Sequence, residues 1–167
     1  MKRILSLMLA VVLLTGCGYP APKDWYKETL EYYAEGFSSD WKNERSDLFV
    51  CDEMKDKKYK FGYLITDLDS DGTDELLIGF NEDGVTKFTE LYIWHSDKGS
   101  FRIIASGGGY YMYLCDNNII KEDSWYGSET KTNYYKYVSK DNALLFVDGG
   151  GLPRECELTY FSEDSGK

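Results

Sequence analysis

Phe61-Gly62-Tyr63-Leu64-Ile65-Thr66-Asp67-Leu68-Asp69-Ser70-Asp71-Gly72-Thr73-Asp74-Glu75-Leu76-Leu77-Ile78 decides how this chain is read. Apolar and β-branched residues on both sides of an acidic, glycine-bearing run spell two strands joined by a turn. The pattern repeats downstream. Lys87 to His95, Ser100 to Ser106, Tyr110 to Leu114, Asn118 to Lys121, Thr132 to Ser139, Ala143 to Asp148 and Glu155 to Phe161 are β-type runs. They are separated by short turns such as Asn81-Glu82-Asp83-Gly84, Cys115-Asp116-Asn117 and Lys140-Asp141-Asn142. Upstream, Tyr26, Leu30, Tyr33 and Phe37 recur at steps of four, three and four, the period of one helical face. The spacing predicts a helix over 24–36, with Asp24 as N-cap and Gly36 as stop. Between them, 38–58 is polar, anchored by Trp41, Leu48, Phe49 and Val50, with a further helical turn expected near 39–46. The expected fold class is therefore α+β: an N-terminal helix followed by an antiparallel β-meander whose first hairpin carries the acidic loop.

The loop reads D-x-D-x-D-G-x-x-E from Asp67 to Glu75. Alternate carboxylates converge on one centre when the chain coils, and Gly72 permits that coil. Asp, Ser and Gly also make plain turns. A plain turn, however, gains nothing from five carboxylates repelling one another within nine residues, and a divalent cation removes that cost. The expected ion is calcium, with Asp67, Asp69 and Asp71 as ligands, Thr73 through its carbonyl, and Glu75 closing the loop directly or through water. Magnesium fits less well because it demands stricter octahedral geometry. The twelfth loop position is Ile78 rather than Glu, and the flanks read as strands, so the loop is not an EF-hand proper.

The first residues set the compartment. Lys2 and Arg3 precede an apolar run from Ile4 to Leu14. Eleven helical residues rise about 16 Å against a hydrocarbon core of roughly 30 Å, so the run is a signal core rather than a span. Leu14-Thr15-Gly16-Cys17 follows and resembles the lipobox of bacterial lipoproteins, which implies lipidation of Cys17 and loss of residues 1–16. The alternative is an ordinary secretory signal with a chance cysteine. The expected organisation is 1–16 signal peptide, 17–23 lipidated cysteine and tether, 24–162 one globular domain, and 163–167 a polar tail. Loss of Lys2 and Arg3 takes the net charge from −10 to −12. Cys51, Cys115 and Cys156 then form either one disulfide with a spare thiol or three buried thiols. No C-x-x-C or Cys/His spacing suggests zinc.

Nineteen Lys and Arg against 29 Asp and Glu argue against nucleic acid, which needs clustered cations. Fifteen Tyr, eight Phe and four Trp with three Pro argue against a disordered chain. Trp125 and Tyr126 sit in the polar stretch Lys121 to Lys131 and read as a loop that either recognises a ligand or tucks back on itself. Tyr111 with Tyr113, and Tyr135 with Tyr137, read as strand packing ahead of sugar or peptide binding. Ser106-Gly107-Gly108-Gly109 and Gly149-Gly150-Gly151 lack phosphate-loop spacing and read as bends. His95, the lone histidine, has no nucleophile signature beside it and reads as a surface residue.

The strand-loop-strand setting, acidic at its ninth position, resembles the calcium loops of integrin-type FG-GAP repeats. More widely, residues 24–150 resemble uncharacterised lipoproteins of Gram-positive gut bacteria. The resemblance is carried by a tryptophan-containing helix, the 61–78 segment, and runs like Leu91-Tyr92-Ile93-Trp94 and Asn133-Tyr134-Tyr135-Lys136-Tyr137. It implies a calcium-loop, surface-anchored protein and no established reaction. The expected function is a lipid-anchored, calcium-stabilised binding or accessory module on the extracytoplasmic face of the cell membrane, meeting an envelope protein or glycan. The alternatives are an envelope hydrolase using carboxylate acid/base chemistry, and an inhibitor lipoprotein whose partner is another envelope protein.

Overall fold

Alternation of apolar residues along the strands places side chains on two faces, and the structure, a computed structural model, buries both. It describes residues 22–161 apart from 43, 47, 49, 96–98 and 106–109. Three helices, α1 (Pro22–Trp25), α2 (Lys27–Ser39) and α3 (Asp52–Lys55), precede the strands. Next come β1 (Phe61–Thr66), β2 (Glu75–Glu82), β3 (Val85–His95), β4 (Gly99–Ala105), β5 (Tyr110–Leu114), β6 (Ile119–Tyr126), β7 (Glu129–Val138), β8 (Ala143–Phe146) and β9 (Thr159–Tyr160). All nine strands belong to one sheet, ordered β8-β7-β6-β5-β3-β2-β1-β9 with β4 also on β3, and every pairing is antiparallel.

This corrects the α+β expectation of an N-terminal helix followed by a meander. The described residues are β-rich, with one helix among them longer than a single turn. The sheet departs from a meander at two places. Strand β3 is eleven residues long; its outer half pairs with β4, while Phe88 in its first half pairs with Met112 of β5. Strand β9 returns to β1, pairing Thr159 with Tyr63 and Tyr160 with Gly62. Local patterning reveals that a segment is a strand, but a long strand offers two edges, and which neighbour takes each is settled by packing. The last run shrinks accordingly: Glu155 to Phe161 was expected, and only Thr159–Tyr160 is strand.

Strand β2 is buried on both faces. Leu76, Ile78 and Phe80 join a core with α2, together with Tyr26, Tyr33, Trp41, Phe61, Tyr92 and Phe161. Leu77 joins the opposite core of Leu68, Phe88, Leu91, Ile93, Met112, Leu114, Ile120 and Tyr137. In β3, Ile78 faces Glu90 and Gly79 faces Phe88, so Thr89 is an extra, bulged residue. The bulge explains why Phe88 and Leu91, three apart, lie on one side.

The helix is displaced from its expected bounds. Tyr26 separates α1 from α2, and α2 runs through Gly36 to Ser39. Gly36 is not a stop. A Cβ there would stand 2.5 Å from Trp41 Cε3 and 2.7 Å from Cη2, so its absence seats the Trp41 ring. Asp40, left-handed at φ 54°, ends the helix, and the Trp41 N–H donates to the Gly36 carbonyl at 2.9 Å. Beyond Ser39, the turn expected near 39–46 is not helical in the described residues; the helical turn falls at α3. Cys51, Cys115 and Cys156 are buried free thiols. Among the described residues, no helix is long and apolar enough to cross a membrane.

One acid lies inside the α2 side of the sheet. Glu90 is fully buried, Arg102 Nη1 donates to its Oε2 at 3.2 Å, and its Oε1 has no hydrogen-bond partner. Burial pushes its carboxyl up to about 8, with Arg102 offsetting only part of that rise. Between the ordinary carboxylate value and about pH 8 the folded chain keeps a proton that the unfolded chain has lost. This group therefore makes stability fall as pH rises through that window and level off above it. We expect Glu90→Gln to flatten that decline in urea unfolding measured from pH 5 to 9; an unchanged slope would remove Glu90 as its source.

Candidate metal centre

The β1–β2 connection coils because its own carboxylates cap its own amides. Asp67 Oδ1 accepts from the Ser70 N–H at 2.7 Å and the Asp71 N–H at 3.2 Å, and Asp67 Oδ2 accepts from Gly72 at 2.9 Å. Asp71 Oδ1 accepts from the Thr73 N–H at 2.7 Å. Ser70 at φ 66° and Gly72 at φ 90° take the left-handed conformations the coil requires. As a result, Asp67, Asp69 and Asp71 each bring a carboxylate oxygen within 4.8 Å of the others, a group that could hold a metal ion.

The fit to a cation rests on the donor chemistry and one orphan. All three groups are hard oxygen donors, the set that calcium or magnesium takes. Asp69 Oδ2 accepts from the Ser139 N–H at 2.6 Å, while Asp69 Oδ1 is buried and has no partner. A buried, unpartnered carboxylate oxygen among two other carboxylates is costly unless a cation meets it.

Glu75 stands outside this group. It is 1 % exposed, and its Oε2 accepts from the Leu68 N–H at 2.9 Å, which braces the loop from below. Burial pushes its carboxyl up to about 8, the charges of Asp69, Asp71 and Asp67 add to the rise, and the Leu68 N–H offsets part of it. Thr73 enters through its N–H bond to Asp71 and lines a cleft of about 370 Å³ beside the loop, with Glu75, Trp94, Tyr137 and Ser139. The Ser139 side chain holds the Asp71 carboxyl below its ordinary range.

The loop is also a tie point for distant parts of the chain. Leu68, 1 % exposed, plugs the core that contains Leu77 and Tyr137. Asn118 Nδ2 donates to the Asp67 carbonyl at 3.2 Å, and the Tyr26 hydroxyl donates to the Asp74 carbonyl at 2.7 Å. Sequence reasoning did not find Tyr26, Asn118 or Ser139 as loop partners. They lie some 50 to 70 residues away or before the helix, and none carries a local signal for that role.

The other candidates fall elsewhere. Trp125 and Tyr126 are the last residues of strand β6 rather than a loop, because β6 and β7 extend to a two-residue turn at Gly127. Trp125 is 42 % exposed and meets Tyr111 edge-on at 5.6 Å; the Tyr126 side chain lies outside the described residues. So do Cys17, the His95 side chain and residues 106–109. Tyr113 and Tyr137 are buried, and Tyr111 donates to Glu53 Oε1 at 2.6 Å. The backbone at Gly150 packs directly on the Tyr134 ring, which accounts for that glycine by close approach.

Fold and site together define a β-rich, single-sheet domain carrying one acidic loop that could hold a metal ion. No family model matches the chain, and no curated protein or solved structure matches it either.

Proposed function

We propose that this chain is a lipid-anchored, calcium-stabilised module of the cell envelope that binds a partner or supports an assembly. The observation that carries the reading is the convergence of Asp67, Asp69 and Asp71, with Asp69 Oδ1 buried and unpartnered. Calcium is preferred to magnesium because it accepts irregular oxygen shells of six to eight ligands, in which waters complete what three carboxylates begin. An extracytoplasmic site can bind at about 0.1–1 mM and still be filled. The ion's role is structural: it neutralises the loop that keeps Leu68 in the core and ties Ser139 to the first hairpin. Anchoring is supported by Lys2, Arg3, the apolar run and Leu14-Thr15-Gly16-Cys17, and a diacyl-modified Cys17 would hold the protein on the outer face of the membrane. Exposed Trp125 is a contact point for an envelope protein or glycan.

The anchoring half is tested by metabolic labelling with palmitate and fractionation. The wild type is expected in the membrane fraction carrying label, and Cys17→Ser in the soluble fraction without it. Unlabelled wild type in the soluble fraction would overturn this half.

A further inference from the structure

A hollow at the C-terminal end of α2 has the opposite chemistry from the acidic loop. About 420 Å³ in volume, it opens between the C-terminal end of α2 (Phe37, Ser38), the 54–61 segment and Phe161. That volume falls in the range of small-molecule sites. Its floor is aromatic and rigid. The Trp41 ring is held by its Nε1 donating to the Met54 carbonyl at 3.0 Å and by edge contact with Phe37 at 5.1 Å. Phe37 in turn stacks on Phe61 at 5.3 Å and meets Phe161 in a tilted contact at 5.2 Å. Trp41, Phe61 and Phe161 are almost wholly buried, whereas Phe37 and Tyr59 are half-buried and supply the open ring surface.

The rim is basic in a chain with ten more acids than bases. Lys55, Lys57 and Lys60 line it against Asp40 and Asp56. Lys55 pairs with Glu44 and Lys57 with Asp40, each at 2.8 Å, the latter pair joining the end of α2 to the 54–61 segment. Lys60 lies over the Tyr160 ring at 4.9 Å and is in no ion pair among the described residues. The Lys57 pair is exposed, so it exchanges partners at small cost. Rings and lysines thus line one hollow, and that combination selects a flat ring that carries an anionic group.

We infer that this hollow binds a small aromatic anion, an aryl carboxylate or sulfonate, with its ring against Phe37 and Tyr59 and its anionic group between Lys57 and Lys60. The site is independent of the acidic loop and of any ion there.

The test titrates 1-naphthalenesulfonate into the ¹⁵N-labelled protein and follows amide shifts. Saturable shifts are expected at 54–61 and at Phe161. Lys57→Glu with Lys60→Glu, both on the surface, is expected to weaken binding about tenfold or more while leaving the melting temperature within a few degrees. Neutral naphthalene is expected to bind about tenfold more weakly. The inference is overturned if no saturable shift appears by about 5 mM, a concentration weaker than any useful site. It is equally overturned if the shifts map elsewhere, or if the charge-reversed protein or naphthalene binds as the reference does.

Discussion

Saturating calcium is expected to raise the melting temperature of the wild-type domain by about 5–10 °C over chelator, and Asp69→Ala is expected to remove that shift. The size follows from mass action: ligand at about a hundred times its dissociation constant stabilises by about 2.7 kcal/mol, and a domain of this length shifts by about 2–4 °C per kcal/mol. Asp69 is the telling position because its Oδ1 is the buried oxygen with no partner and its Oδ2 ties down Ser139. In chelator the sign separates the ion from the turn. Asp69→Asn keeps an acceptor for the Ser139 N–H and removes one of the charges that raise the Glu75 carboxyl, so it is expected to melt at or above the wild type. In calcium the order reverses. If calcium leaves the wild-type melting temperature unchanged, the loop is a plain turn and the calcium reading fails. Calcium also draws Glu75 toward its ionised form. The fall in stability that Glu75 contributes between its ordinary value and about pH 8 is therefore expected in chelator and diminished with the ion.

Gly36→Ala is expected to destabilise the domain by about 2–3 kcal/mol, lowering the melting temperature by about 5–10 °C. Two effects oppose each other. Alanine is the better helix former by about 0.8–1 kcal/mol, and Gly36 lies inside α2, so propensity alone predicts a gain. The new methyl, however, would stand 2.5 Å from Trp41 Cε3, a contact that neither a buried ring nor a helix backbone can absorb. Displacing the ring also strains the Trp41 Nε1 bond to the Met54 carbonyl and the aromatic contacts around it. Packing exceeds propensity by a factor of two or more. Thermal unfolding together with tryptophan emission checks this: an unchanged or raised melting temperature would mean that Trp41 is not held against the helix.

How much could be read in advance follows the range of the forces. The helical face of Tyr26, Leu30, Tyr33 and Phe37, the strand runs and the coiling of the acidic loop are local. Each depends on residues a few positions apart, and the Asp67 bonds to Ser70, Asp71 and Gly72 lie within that range. Gly36 reads locally as a stop because a stop and a close approach use the same residue, and only Trp41 distinguishes them. The loop expected at Trp125 became strand because β6 and β7 pair in register up to Tyr126 and Glu129.

By itself, then, the sequence determined that an acidic coil separates two strands, that a helix precedes them, and that carboxylates alternate toward one centre. The tertiary structure alone decided that β3 serves two neighbours, that β9 closes on β1, and that Ser139 and Asn118 hold the loop. It also decided that lysines and rings from three separate segments meet around one hollow. Side-chain period and turn chemistry act over a few residues, whereas strand partners, buried charges and hollows arise from contacts between segments that no local pattern records.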